Sequence, residues 1–128
     1  MLQLQKNSKT QLLILDQLDK KIKFKRIFFL IANKNSQRGD HAHKKCIQAF
    51  FSVKGSFFLD CIFSNGKKKK IKIIQGKNLQ IIKPKTWVKV NLNKNDICGV
   101  LCDSHFSESD YIREFTKFKK ILKKNEKS

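Results

Sequence analysis

The chain has 128 residues, of which 40% are hydrophobic and eleven are Phe, enough for one domain with its own core and too apolar to stay disordered. It contains no run of about 18 apolar residues that would cross a membrane as a helix, and Met1 to Lys6 lacks the basic-then-apolar order of a secretory signal. A net charge of +19 is carried by 29 basic and 10 acidic residues. Among the basic residues only Arg26, Arg38 and Arg113 are Arg, and base readout and bidentate phosphate clamps favour Arg. The Lys are scattered, with short clusters at Lys67 to Lys70 and near the C-terminus. A solvated Lys-rich surface that suits an anionic substrate is therefore expected, without nucleic acid or membrane as a partner.

Short apolar runs separated by polar turns predict a mostly β chain. Gln11 to Leu15 and Phe24 to Ala32 are the first strands, followed by a polar loop from Asn33 to Gln37 and a long strand from His41 to Val53. Phe57 to Phe63 runs into Ser64-Asn65-Gly66, a strong hairpin signal, and Lys68 to Ile74 returns. After a turn at Gly76 come Leu79 to Ile82, Trp87 to Leu92 and Ile97 to Cys102. Tyr111, Ile112, Phe115, Phe118 and Leu122 then recur at spacings of three and four behind Ser107-Glu108-Ser109-Asp110, which predicts a terminal helix over 109–124. The sum is a single all-β domain, residues 1–128, of jelly-roll or related barrel type with a short C-terminal helix. Cys46, Cys61, Cys98 and Cys102 form no CxxC pair and read as buried reduced thiols of a cytoplasmic protein.

Chemistry concentrates in Arg38-Gly39-Asp40-His41-Ala42-His43-Lys44-Lys45. Two His one residue apart on a strand share a face. Extending that parity reaches Ile47, Ala49, Phe51 and Val53, so the histidines are expected to face an apolar interior, with Lys45 in the same register. Imidazoles there suit metal binding or acid–base work. Metal-binding cupins follow HxH with a Glu and add a His on a later strand. Here Gln48 stands in the Glu position, and His105 is the only other His. Two imidazoles and an amide are a poor divalent site, so no metal is expected and acid–base chemistry is favoured.

At these residues the chain resembles the WxcM-like cupin family of sugar 3,4-ketoisomerases. The resemblance rests on Arg38-Gly39, His41-Ala42-His43-Lys44, Gln48 and Gly55, the strand Lys25 to Phe29, Pro84 with Trp87, and Asp110-Tyr111-Ile112-Arg113 with Phe115 and Phe118. It implies a cupin-type jelly-roll barrel and conversion of dTDP-4-keto-6-deoxyglucose to its 3-keto isomer, without metal or organic cofactor. The product would enter biosynthesis of 3-amino-3,6-dideoxy sugars for surface polysaccharide such as lipopolysaccharide. Relatives form dimers that exchange N-terminal strands, and Leu12 to Leu15 would be such a strand here. In this reading His41 and His43 are catalytic, one as base at carbon and the other serving an oxygen or orienting the first. Arg38 stabilises the enediolate or clamps the pyrophosphate. Lys45, Gln48 and Trp87 are candidate substrate contacts. Tyr111 and Arg113 are expected to anchor the terminal helix.

Two rivals stand beside this reading. A nucleotide-sugar 3,5-epimerase would need an acid opposite the His base, commonly Tyr, and the single Tyr111 is expected at a helix start. A basic binding module would hold its ligand without turnover.

Overall fold

The computed structural model describes residues 2–16 and 22–126. An N-terminal hairpin pairs β1 (Leu2–Lys6) with β2 (Gln11–Leu15). The body has nine further strands: β3 (Arg26–Ile31), β4 (Ser36–His43), β5 (Gln48–Lys54), β6 (Ser56–Ile62), β7 (Lys68–Ile74), β8 (Gln80–Ile82), β9 (Trp87–Leu92), β10 (Ile97–Cys102) and β11 (Tyr111–Ile112). A single 3₁₀ turn, Glu108–Asp110, precedes β11, and helix α1 spans Phe115–Glu126.

The body strands form two antiparallel sheets in the orders β3-β10-β5-β8 and β11-β4-β9-β6-β7. Their inner faces share one core. Phe50, Cys98, Val100 and Cys102 of the first sheet pack with Leu59, Cys61, Ile73, Val88, Val90 and Leu92 of the second, as in a jelly-roll sandwich. A smaller cluster lies on the outer face of the second sheet, where α1 brings Phe118 onto Ala42, Trp87 and Ile112. Among the described residues no helix is long and apolar enough to cross a membrane.

The Asn65-Gly66 hairpin forms as expected. Gly66 takes the left-handed conformation (φ 85°) and its N–H donates to Phe63 O, while the Asn65 side chain accepts from the Lys67 N–H. The tetralysine run lies exposed on that turn and the start of β7.

Two expectations are corrected. The long strand from His41 to Val53 is two strands in different sheets, broken at Lys44 to Ile47. Distant carboxylates make that turn: Asp110 accepts the Lys45 and Cys46 N–H groups, and Asp103 accepts that of Ile47. The parity from the histidines to Ile47, Ala49, Phe51 and Val53 is lost with it. The terminal helix begins at Phe115 instead of 109, because Tyr111 and Ile112 pair as a strand with His43 and Ala42. Residues Leu2–Lys6, to which no element was assigned from sequence, form β1. The hairpin they make lies on its own chain: Leu4 meets Gly76, and Gln75 donates to Gln11.

Candidate active site

A cavity of about 270 Å³ opens between the two sheets. Its apolar walls come from Phe28 and Leu30 of β3, Phe50 of β5, and Val88 and Val90 of β9. Its polar groups are Arg38, His41, Gln48, Tyr111 and Arg113, and Phe106 stands at the rim with 62% of its surface exposed.

A bulge aims the two polar residues of β4. Arg38 pairs with Val90 and His41 with Val88, so three steps on β4 match two on β9, and Asp40 is the unpaired extra residue. A regular strand would turn Arg38 and His41 to opposite faces. With the bulge both point the way of Val88 and Val90, into the cavity. The bend needs left-handed backbone at Gly39 (φ 83°) and Asp40 (φ 59°). A side chain at Gly39 would put its Cβ 2.9 Å from Val88 O. Asp40 is held in place by its carboxylate, which accepts the Trp87 indole N–H at 2.8 Å.

The histidines differ in surroundings. His41 lines the cavity, and its Nδ1 is buried without a hydrogen-bond partner among the described residues. Burial, then the nearby His43, push its pKa below the ordinary imidazole value. His43 is 5% exposed and absent from the cavity lining. Its Nδ1 meets Asp110 Oδ2 at 2.9 Å. That carboxylate lowers the local cost of a charge on His43, yet burial outweighs it and His43 also titrates below the ordinary value. Burial works against the charge of Asp110 too, but bonds from His43 and from the Lys45 and Cys46 N–H groups bring its pKa down. Asp110 is therefore the anion and acceptor, and a neutral His43 donates its Nδ1–H to it. His43 Nε2 is buried and has no partner among the described residues.

Tyr111 completes an aromatic triplet. Its ring centroid lies 4.9 Å from that of His41 and 4.4 Å from that of His43, and the two imidazoles are 5.1 Å apart. The Arg113 guanidinium lies 4.2 Å over the Tyr111 ring and pairs with Glu108. Burial lowers the pKa of Arg26, but the neighbouring Cys102 and then Tyr111 outweigh it and raise the pKa above the ordinary guanidinium value. Cys46, then Gln48 and Arg26, lower the thiol pKa of Cys102 against the opposing effect of burial.

Of the sequence-predicted residues, Arg38, His41 and Gln48 line the cavity, and His43 stands directly behind His41. Gln48 is 5% exposed and its amide donates to Cys102 Sγ at 3.5 Å. Lys45 is exposed in the turn after β4 and away from the cavity lining, because the strand ends before reaching it. Trp87 points to the outer face, since its neighbour Val88 points in. It packs against Phe115 and Phe118 of α1, with ring centroids at 5.1 and 5.5 Å. The expectation that Tyr111 and Arg113 serve only the helix is corrected, because both line the cavity. Asp110 and Arg26 also went unassigned. The Asp-Tyr-Ile-Arg string was the available signal, misplaced onto a helix.

Among the described residues, His43, Cys46 and Asp110 bring possible metal-ligating atoms within 4.8 Å of one another. The chemistry of this set fits a hydrogen-bonded cluster better than a metal site. His43 and Asp110 already bond each other, and the bond to Cys102, then burial, push the Cys46 thiol far above its ordinary pKa.

The family described as FdtA: WxcM-like, C-terminal, matches residues 1–123. A TDP-4-oxo-6-deoxy-alpha-D-glucose-3,4-oxoisomerase from Aneurinibacillus thermoaerophilus is 31% identical over 108 residues, 78% of this chain and 73% of that protein. Two solved structures share the fold. The sugar 3,4-ketoisomerase QdtA from Thermoanaerobacterium thermosaccharolyticum, in complex with TDP, is 22% identical with a TM-score of 0.83 over 97% of this chain and 92% of that one. A 3,4-ketoisomerase from Helicobacter canadensis is 22% identical with a TM-score of 0.81 over 95% and 93%.

Proposed function

We infer the reaction from one premise: this chain belongs to the FdtA family, WxcM-like, C-terminal. We propose that it is a sugar-nucleotide 3,4-ketoisomerase, an intramolecular oxidoreductase that moves the carbonyl of a dTDP-linked 4-keto-6-deoxyhexose from C4 to C3. The observation that carries the proposal is His41, its pKa held below the ordinary imidazole value by burial, facing a cavity whose other polar groups include two arginines.

The hydrogen on C3 is acidic because it is α to the C4 ketone. His41, uncharged near neutral pH, takes it as general base, an enediol forms, and the same imidazole returns a proton to C4. His43, pinned by Asp110, backs His41 and keeps a second charge from forming beside it. Arg38 and Arg113 suit the diphosphate and the enediolate, and Phe28 and Phe106 offer apolar surface to the sugar or the base. The 3-keto product is a substrate for transamination at C3, which would give a 3-amino-3,6-dideoxy sugar. A chain with 29 basic and 10 acidic residues suits such a dianionic substrate.

Incubation with dTDP-4-keto-6-deoxyglucose in deuterated water tests this. Deuterium should enter the sugar and a 3-keto product should appear, both reduced roughly 10²–10⁴-fold in His41→Asn. Tight binding with no exchange would instead indicate a binding module. A 3,5-epimerase is a second reading, favoured by the presence of Tyr111 in the cavity. Tyr111 stands beside His41 and not across from it, which suits an epimerase poorly, and a product changed at C5 with its 4-keto group intact would decide for it.

We also propose a homodimer with exchanged N-terminal strands. Ile27, Phe29 and Ile31 project from the edge strand β3 with exposures of 50%, 49% and 65%, and Leu12 is 54% exposed. A second copy would cover this stripe.

A further inference from the structure

Ketone migration needs two proton shifts, one between the carbons and one between the oxygens. With His41 assigned to the carbons, His43 is a poor agent for the oxygens, because it is absent from the cavity lining and its Nδ1–H is committed to Asp110. Tyr111 lines the cavity beside both imidazoles. Its hydroxyl is both donor and acceptor. The Arg26 guanidinium lies 5.7 Å from the rings of Phe28 and Phe106, both of which line the cavity, and Phe106 packs on Tyr111 at 5.7 Å. Among the described residues Arg26 Nε is buried with no hydrogen-bond partner.

Resting on the ketoisomerase reading, we propose that Tyr111 is a catalytic residue that carries the proton between O4 and O3, and that Arg26 is a positioning residue that stabilises the phenolate formed midway.

As the C3–H bond breaks and His41 takes the proton, the electron pair forms C3=C4 and the carbonyl π pair moves to O4. Tyr111 gives its hydroxyl proton to O4, which leaves a phenolate paired with Arg26. When C4 regains a proton from His41, the O3–H pair becomes the new C3=O3 double bond, and the phenolate takes the O3 proton. Tyrosine and histidine both end as they began, so no oxidant or co-reactant is consumed.

The test uses the full chain with dTDP-4-keto-6-deoxyglucose in deuterated water, comparing Tyr111→Phe, Arg26→Lys and Arg26→Met, with thermal melts to show that each folds. Tyr111→Phe should lower kcat about 100-fold with KM within a few-fold. Deuterium should return to recovered substrate faster than product forms, because the carbon step is then uncoupled from the oxygen step. Arg26→Met should show the same split, and Arg26→Lys, which keeps the charge, should recover most of the rate. Tyr111→Phe with kcat within three-fold of the parent would overturn the shuttle, as would an equal loss of exchange and turnover. Equal rates in Arg26→Lys and Arg26→Met would remove the role of its charge. A parent protein that neither exchanges nor converts the sugar would refute the ketoisomerase reading itself, and the shuttle with it.

Discussion

His43 touches a carboxylate at 2.9 Å, yet both histidines titrate below the ordinary imidazole value because burial outweighs the partner. The folded chain therefore binds fewer protons than the unfolded chain in the range below about pH 6.5. The stability this confers is fully present above that pH and is lost as pH falls through the lowered folded pKa values. Activity that needs neutral His41 moves in the same direction. We predict kcat/KM constant above pH 6.5, with an acid limb centred below it and a melting temperature that drops over the same window; a limb centred above 6.5 would contradict the assignment. At this scale the sequence was informative where chemistry is local. The His-x-His pair, Arg38 and Gln48 could be read from spacing, and the outward turn of Trp87 could have been read from Val88 and Val90. Asp110 could not, because its partner His43 lies 67 residues away and no periodicity links them.

The bulge in β4 is the element on which the site depends. Gly39 and Gly66 have nearly the same backbone, with φ of 83° and 85°, but a Cβ at Gly39 would meet Val88 O at 2.9 Å while one at Gly66 meets nothing within 4 Å. Gly66→Ala should cost about 1 kcal/mol of strain alone. Gly39→Ala should cost more, roughly 2–3 kcal/mol, and should also lower kcat/KM by shifting Arg38 and His41. Chemical denaturation and kinetics of the pair check this, and equal stability losses would contradict it. The strands were legible because apolar runs and the Asn65-Gly66 turn are local signals. Two elements were not. The break after His43 is made by Asp103 and Asp110 from elsewhere in the chain, and Tyr111–Ile112 continued the helical spacing of Phe115 and Phe118 while the sheet edge at β4 captured them.

Among the described residues an apolar stripe of Ile27, Phe29 and Ile31 lies uncovered on an edge strand, despite a chain rich in Lys. An exposed edge of this kind invites pairing. Light scattering should give about twice the chain mass of 15.0 kDa, and Ile31→Glu should shift the protein to monomer; a parent protein that is monomeric at high concentration would rule the dimer out. The pocket itself spans the chain, from Phe28 to Arg113. Asp110 closes it by accepting three bonds around the end of β4 through its side chain and a fourth, from the Lys44 N–H, through its backbone carbonyl. During synthesis, then, both histidines leave the ribosome long before the clasp that seats them. A nascent chain halted ahead of that clasp would own most of the sandwich and no working centre, so competence arrives late and all at once.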